Sequence, residues 1–160
     1  MIEQLDDIGV RLLDILQHDG RITNAELAER VGLSASACLR RVQQLEAAGL
    51  IQAYSAQLDR EALGLGMEAF VHVIMRHSDR ASLDEFSAQV AEWPEVIGGY
   101  MMLGEADFLL HVVTRDLASY RDFMTNRMLP HPLVQRTTTN IVLEVGKRVS
   151  TLDLSHLRRA

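Results

Sequence analysis

The sequence predicts an α+β protein of two small domains, and three observations predict it. In the first fifty residues, apolar side chains recur at helical spacing in three segments that are separated by glycine-containing turns. Beyond them, four alternating strand-like segments and two further helical segments follow in mixed order. Hydrophobic residues make up 48% and charged residues 24% of the chain, which is typical of a folded globular protein. We place the domains at residues 1–52 and 65–160, the second including the C-terminal tail, with a linker strand and turn at 53–64.

Capping residues delimit the three N-terminal helices. Thr23 and Glu26 have the spacing of a capping box, which starts the second helix, and Gly32 ends it. The helices are predicted at residues 6–18, from Thr23 to Gly32, and from Ser34 or Ser36 to Gly49. A short alternating strand at residues 50–58 follows. Three helices plus this short strand predict a winged helix-turn-helix.

The C-terminal domain is predicted to be ferredoxin-like, with the order βαββαβ and two helices on one face of a four-stranded antiparallel sheet. Residues 82–85 read as a second capping box, and Asp116 caps the last helix. The predicted strands are 67–76, 96–103, 107–114 and 137–145, and the predicted helices are 82–93 and 117–129. The first and third strands are apolar on both faces. Because two helices cover only one face, we expect the other to pack sheet-to-sheet in a homodimer.

The third helix carries the candidate DNA-binding residues. The net charge of −6, and of −3 for residues 1–52, argues against unspecific coating of nucleic acid. However, no acidic residue of this helix precedes Glu46, so its start is locally cationic. Three helices around a glycine turn also occur in domains that bind only protein, which stays the alternative. The candidates for contact with double-stranded DNA are Ser34, Ser36, Ala37, Arg40, Arg41 and Gln44.

Other function classes find little support. Cys38 is the sole cysteine, no apolar run approaches the roughly 18 residues of a membrane span, and the N-terminus lacks the pattern of a signal peptide. We therefore expect a cytoplasmic protein without a membrane role. His72, His111 and His131 lack metal-ligand spacing, and no nucleophile has an evident base. We expect no metal, no cofactor, no catalytic residues and no enzyme activity.

Several segments closely resemble the Lrp/AsnC (feast/famine) family of regulators. They are Gly20–Ala28, Val31–Ser34, Cys38–Val42, Leu45–Ile51 and Gly104–Leu110. The resemblance implies a sequence-specific transcription regulator whose DNA binding or assembly state responds to a small amino acid bound between C-terminal domains. It also implies homodimers that assemble into octamers. The alternatives are an amino-acid-binding module without direct DNA recognition and a small ligand-binding enzyme.

The resemblance also implies effector-binding positions on a hairpin loop and near the last strand. Glu105 or Asp107 could accept the ammonium group of an amino acid, and loop N–H groups and threonine hydroxyls could donate to its carboxylate. Asp107 could instead be an exposed turn residue, and the threonines ordinary strand residues. The candidates are Leu103, Gly104, Glu105, Ala106, Asp107, Gln135, Thr137 and Thr139. Met101, Met102 and Leu103 make these surroundings apolar, which favours a branched-chain or other apolar effector.

Overall fold

The computed structural model describes residues 5–147 and 151–157. The described part of the chain divides into two compact units: residues 5–57 together with 147 and 151–157 form one, and residues 58–146 form the other. The parts of the predicted domains at 1–4, 148–150 and 158–160 lie outside the described residues. None of the described helices is long and apolar enough to cross a membrane.

The N-terminal unit contains the three predicted helices, and local capping explains where each begins. Asp6 accepts the N–H of Gly9 at 2.9 Å, and the reciprocal capping box of Thr23 and Glu26 is confirmed. Gly32 has φ +74°, a left-handed conformation that glycine adopts without strain. The helices are α1 (Asp7–His18), α2 (Asn24–Val31) and α3 (Ala35–Ala47). Their common core consists of Leu12, Leu27, Ala28, Val31, Cys38 and Leu45.

The C-terminal tail departs from the predicted domain boundary. Its described residues, 151–157, belong to the N-terminal unit, whereas the sequence placed them with the C-terminal domain. The side-chain amide of Gln17 on α1 explains this position. It donates to the carbonyl of Leu152 at 3.0 Å and accepts the N–H of the same residue at 2.8 Å. Both backbone groups of one tail residue are thereby satisfied.

The linker strand predicted at residues 50–58 does not form. The described sheet pairs four strands, and none of them comes from this segment. A strand is stabilised by hydrogen bonds to a neighbouring strand. Alternation of apolar and polar residues alone is therefore insufficient to make one here.

The C-terminal unit has the predicted βαββαβ order. Its elements are β1 (Met67–Met75), α4 (Arg80–Ala91), β2 (Val96–Met101), β3 (Phe108–Thr114), α5 (Leu117–Phe123) and β4 (Val134–Ile141). A π-helical turn, Met124–Met128, continues α5 directly. The strands lie in the order β2-β3-β1-β4, and all three pairings are antiparallel.

Several predicted boundaries in this unit were wrong, and the starts of α4 and β4 have identifiable causes. Helix α4 starts two residues earlier than predicted, because Asp79 is its N-cap and accepts the N–H of Ser82 at 3.1 Å. The predicted capping box at 82–85 therefore lies inside the helix. Strand β4 begins at Val134 rather than Thr137, since Val134 pairs with Met75 across a β-bulge. The Asp116 cap of α5 is confirmed.

The two faces of the sheet differ in burial. Ala69, Val71 and Val73 are completely buried beneath the helices. The alternate residues of β1, Phe70, His72 and Ile74, are only partly buried on the side without helices, which we call the open face. The helix-side core includes Phe86, Val90, Trp93, Leu110, Tyr120, Phe123, Met124, Met128 and Val134.

Candidate functional site

Helix α3 begins in a well-defined orientation against α2. The hydroxyl of Ser34 accepts the N–H of Ala37 at 3.3 Å, and its Oγ lies 3.3 Å from the Oγ of Ser36. The amide of Asn24, the first residue of α2, donates to the carbonyl of Ala35 at 2.8 Å. The starts of the two helices are therefore linked, which orients the exposed side of α3.

The outer face of α3 consists of Ser36, Leu39, Arg40 and Gln43. All four side chains are exposed, whereas Cys38 and Leu45 are buried on the opposite side. Leu39 is 48% exposed although it is a large apolar residue. The spacing of these residues is that of one helix face, at three- and four-residue intervals. A row of hydroxyl, guanidinium, amide and methyl groups of this kind can contact the base edges of a major groove.

Arg41 is predicted to contact DNA but is bound within its own domain. Its guanidinium forms an ion pair with Asp6 at 2.7 Å, and its side chain is 36% exposed. Burial acts to raise the pKa of Asp6, but the hydrogen bonds from Gly9 and from Arg41 outweigh it, so that the pKa lies below its usual value. Gln44 lines a cavity beside this pair.

Of the six predicted DNA-binding residues, Ser36 and Arg40 thus lie on the outer face. Ser34 is the N-cap, and Ala37 is partly buried. Sequence reasoning missed Leu39 and Gln43. The three- and four-residue spacing from Ser36 through Arg40 to Gln43 could have identified the latter.

The C-terminal unit has a cavity of about 370 Å³ on the open face of its sheet. Three residues of the loop between β2 and β3 form one wall: Gly104, Glu105 and Ala106, all of them predicted. Met102, expected to lie near this site, and strand residues that the sequence reasoning missed form the rest. These strand residues are His72, Ile74, Arg136, Thr138 and Asn140.

The predicted threonines Thr137 and Thr139 lie on the other side of the sheet. Thr137 pairs with Val73 and Thr139 with Val71, and paired residues share a face. Both therefore face the helices, and the hydroxyls of Thr139 and Tyr120 are 2.6 Å apart. A shift of one residue exchanges the two faces of a strand, which is why Thr138 lies at the cavity instead.

The side chain of Asp107 makes hydrogen bonds within the domain, next to the loop between β2 and β3. One carboxylate oxygen accepts the N–H of Met75 at 2.8 Å, and the other accepts the hydroxyl of Ser78 at 2.8 Å. Its own N–H donates to the carbonyl of Val73 at 2.9 Å. The side chain thus ties the end of β1 to the start of β3 and is absent from the cavity wall.

The remaining predicted effector residues are also outside the cavity wall. Leu103 is fully exposed at the tip of the loop, and Gln135 is exposed at the β-bulge. Met101 lines a different cavity, next to α4. Of the three apolar residues before the loop, Met102 alone contributes to this wall.

Metal binding and a reactive thiol find little support in the described part of the chain. No group of three or more His, Cys, Asp or Glu residues within it could hold a metal ion. The thiol of Cys38 is buried in the helical core, and burial raises its pKa above the usual value. This cysteine is a core residue.

A helix-turn-helix with an exposed outer face and a ferredoxin-like domain with a cavity of mixed polar and apolar lining together define the class of two-domain, ligand-responsive DNA-binding regulators. Residues 5–52 match the winged helix-turn-helix DNA-binding domain, and residues 68–152 match the Lrp/AsnC ligand binding domain. The chain belongs to the Lrp/AsnC family of transcription regulators.

Relatives match over nearly the full chain. A leucine-responsive regulatory protein of Rhizobium meliloti is 43% identical over 94% of this chain and 97% of its own. The crystal structure of a Neisseria meningitidis transcriptional regulator in complex with L-Met has a TM-score of 0.91 and 40% identity, and covers 96% of this chain and 99% of that one. A feast or famine regulatory protein of Mycobacterium tuberculosis, complexed with L-methionine, has a TM-score of 0.80 and 33% identity, and covers 96% and 99%.

Proposed function

We propose that the cavity on the open face binds a small amino acid, and that this ligand controls DNA binding through α3. The observation that carries the proposal is the charge arrangement of the cavity wall, which contains Glu105 and Arg136 together with the apolar side chains of Ile74 and Met102. A zwitterion with an apolar side chain requires one acidic partner, one basic partner and an apolar surface.

The chemistry assigns each group a role. The guanidinium of Arg136 is suited to bidentate hydrogen bonds with the α-carboxylate, and the carboxylate of Glu105 can accept from the ammonium group. Ile74 and Met102 then contact the ligand side chain. Two structural relatives are complexes with methionine, an amino acid of this kind. We therefore expect methionine or a branched-chain amino acid to bind.

Two adjacent threonines provide a matched test of the cavity. In thermal-shift titrations with the twenty amino acids, a ligand at about 100 times its dissociation constant adds roughly 2.7 kcal/mol of stability. Thr138→Val should reduce this shift without changing the melting temperature of the free protein. Thr139→Val should lower that temperature, because the buried hydroxyl of Tyr120 loses its partner, and should keep the ligand shift.

Arg136→Gln tests the charge arrangement directly. Loss of one charged hydrogen-bonding partner should weaken binding roughly 10- to 100-fold. Unchanged binding by Arg136→Gln and Thr138→Val would refute the cavity as the amino-acid site. If ligands bind but no DNA sequence is preferred, the chain is an amino-acid-binding module instead.

We further propose a homodimer that buries the part of each open face outside the cavity, with octamers formed from four such dimers. The partly buried Phe70 and Leu109 supply apolar area there. The same face carries Glu68, whose carboxylate lies 2.6 Å from Nε2 of His111 and forms an ion pair with Arg60 at 3.0 Å. Sedimentation should show a dimer or larger assembly at micromolar concentration, and a monodisperse monomer would refute the proposal.

The matching relatives are transcription regulators, which supports a regulator acting in the cytoplasm without catalysis of its own. Turnover of a bound amino acid by the purified protein, followed by chromatography, would contradict this part of the proposal.

A further inference from the structure

We propose that Gln43 and Leu39 determine, together with Arg40, which base sequence the protein selects, and that Arg41 and Gln44 do not. The inference rests on the proposed function, in which α3 enters the DNA major groove. It goes further by separating residues of α3 that read bases from residues that maintain the domain.

The exposed residues of α3 point in different directions around the helix. Successive residues of an α-helix are about 100° apart, so Gln43 and Gln44 point in clearly different directions. Gln43 is exposed on the outer face with Ser36 and Arg40. Gln44 is also exposed, but it lies beside the cavity that contains Asp6 and Arg41. A groove that receives the outer face therefore meets Gln43 first.

The outer face of α3 is long enough to reach several base pairs. Gln43 lies seven positions after Ser36, which is roughly 10.5 Å along the helix at about 1.5 Å per residue. Base pairs follow one another at about 3.4 Å. The outer face thus spans roughly three base pairs, enough for Arg40, Leu39 and Gln43 to contact neighbouring bases.

The exposed side chains of the outer face match the chemistry of base edges. An amide such as that of Gln43 can pair with the N6 and N7 groups of adenine, and a guanidinium such as that of Arg40 with O6 and N7 of guanine. An apolar side chain in the major groove can contact the thymine methyl group, and Leu39 is 48% exposed on the outer face.

The guanidinium of Arg41 is already engaged, because it forms an ion pair with Asp6 at 2.7 Å. Asp6 also caps α1 through the N–H of Gly9, so the carboxylate is itself held in place. Base contact by Arg41 would require that pair to break. We assign Arg41 to the positioning of α3 against the start of α1.

The test is selection of binding sites from a randomised duplex library by the full-length protein, followed by sequencing. Gln43→Ala should lose the preference at one base-pair position of each half-site, by about tenfold, and should keep the others. Gln44→Ala is the matched control, with the same residue type one position away, and should select the same site as wild type. Leu39→Ala should weaken a preference for thymine.

Gln43→Glu should change which base the protein prefers at that position. A carboxylate accepts from the N4 amino group of cytosine, so the preferred base at that position should change from adenine to cytosine. Both variants alter an exposed side chain, and unchanged melting temperatures will verify their folding. Enrichment of no sequence by wild type would refute the proposed function. Wild-type enrichment with identical preferences in Gln43→Ala and Gln43→Glu would overturn only the present inference.

Discussion

Replacement of Asp107 by alanine should destabilise the C-terminal unit rather than simply abolish ligand binding. The carboxylate accepts the N–H of Met75, a residue that is 3% exposed, so removal leaves a buried donor without a partner. Such a hydrogen bond to a charged group contributes about 1.5–3 kcal/mol. The hydroxyl of Ser78 is exposed and can bond to water instead, so loss of its hydrogen bond to Asp107 adds little to the cost in stability. The expected cost is therefore about 2 kcal/mol.

The assay is thermal unfolding with and without the amino acid that gives the largest shift. A domain of this size loses roughly 4–8 °C per kcal/mol, so Asp107→Ala should melt roughly 8–16 °C below wild type. Glu105→Ala is the matched control from the same loop. It should melt as wild type does but lose most of the ligand shift, because Glu105 is exposed in the cavity wall. An unchanged melting temperature of Asp107→Ala combined with loss of the ligand shift would refute this reasoning and make Asp107 an effector ligand.

Three further predictions concern the N-terminal unit. Leu12→Ala removes a completely buried side chain from the three-helix core and should cost about 3 kcal/mol in urea unfolding; a cost below about 1 kcal/mol would contradict the core assignment. Gly32→Ala adds a methyl group for which there is space, but the residue keeps φ at +74°. The free energy of unfolding from circular dichroism melts should therefore fall by about 1–2 kcal/mol. Asp6→Asn retains the cap but not the ion pair to Arg41. Since the pKa of Asp6 is lowered from 3.8 on folding, wild type should exceed this variant in stability near neutral pH, and the difference should disappear as the pH falls below 3.8. An equal difference at all pH values would show that the ion pair is not its cause.

Features governed by near neighbours in the chain could be predicted from the sequence. The capping box of Thr23 and Glu26 needs only three residues of separation, and a left-handed glycine at Gly32 is recognisable from its place after an apolar helix face. The order of elements followed from the same local patterns. The βαββαβ topology and the helix-turn-helix were therefore accessible without coordinates.

Features governed by distant partners could not be predicted in the same way. Residues 137–139 are three consecutive threonines, so no alternation shows which of them face the helices. The pairing register of β4 with β1 decides which residues face the helices, and it places Thr138 and Arg136 at the cavity. Likewise, the partner of Arg41 is Asp6, which is 35 residues away. The neighbouring residues Arg40 and Arg41 therefore have different environments. Their local sequence does not show this difference, because it is caused by a distant residue.

The central claim is that an amino acid in the open-face cavity controls sequence-specific DNA binding by α3. Fluorescence anisotropy of a labelled duplex that carries the selected site tests it most directly, in titrations with and without the saturating amino acid. We predict a change in DNA affinity of at least about fivefold in wild type. Arg136→Gln should bind the same duplex but show no response at that amino-acid concentration. Equal DNA affinity of wild type with and without a demonstrably bound amino acid would contradict the account.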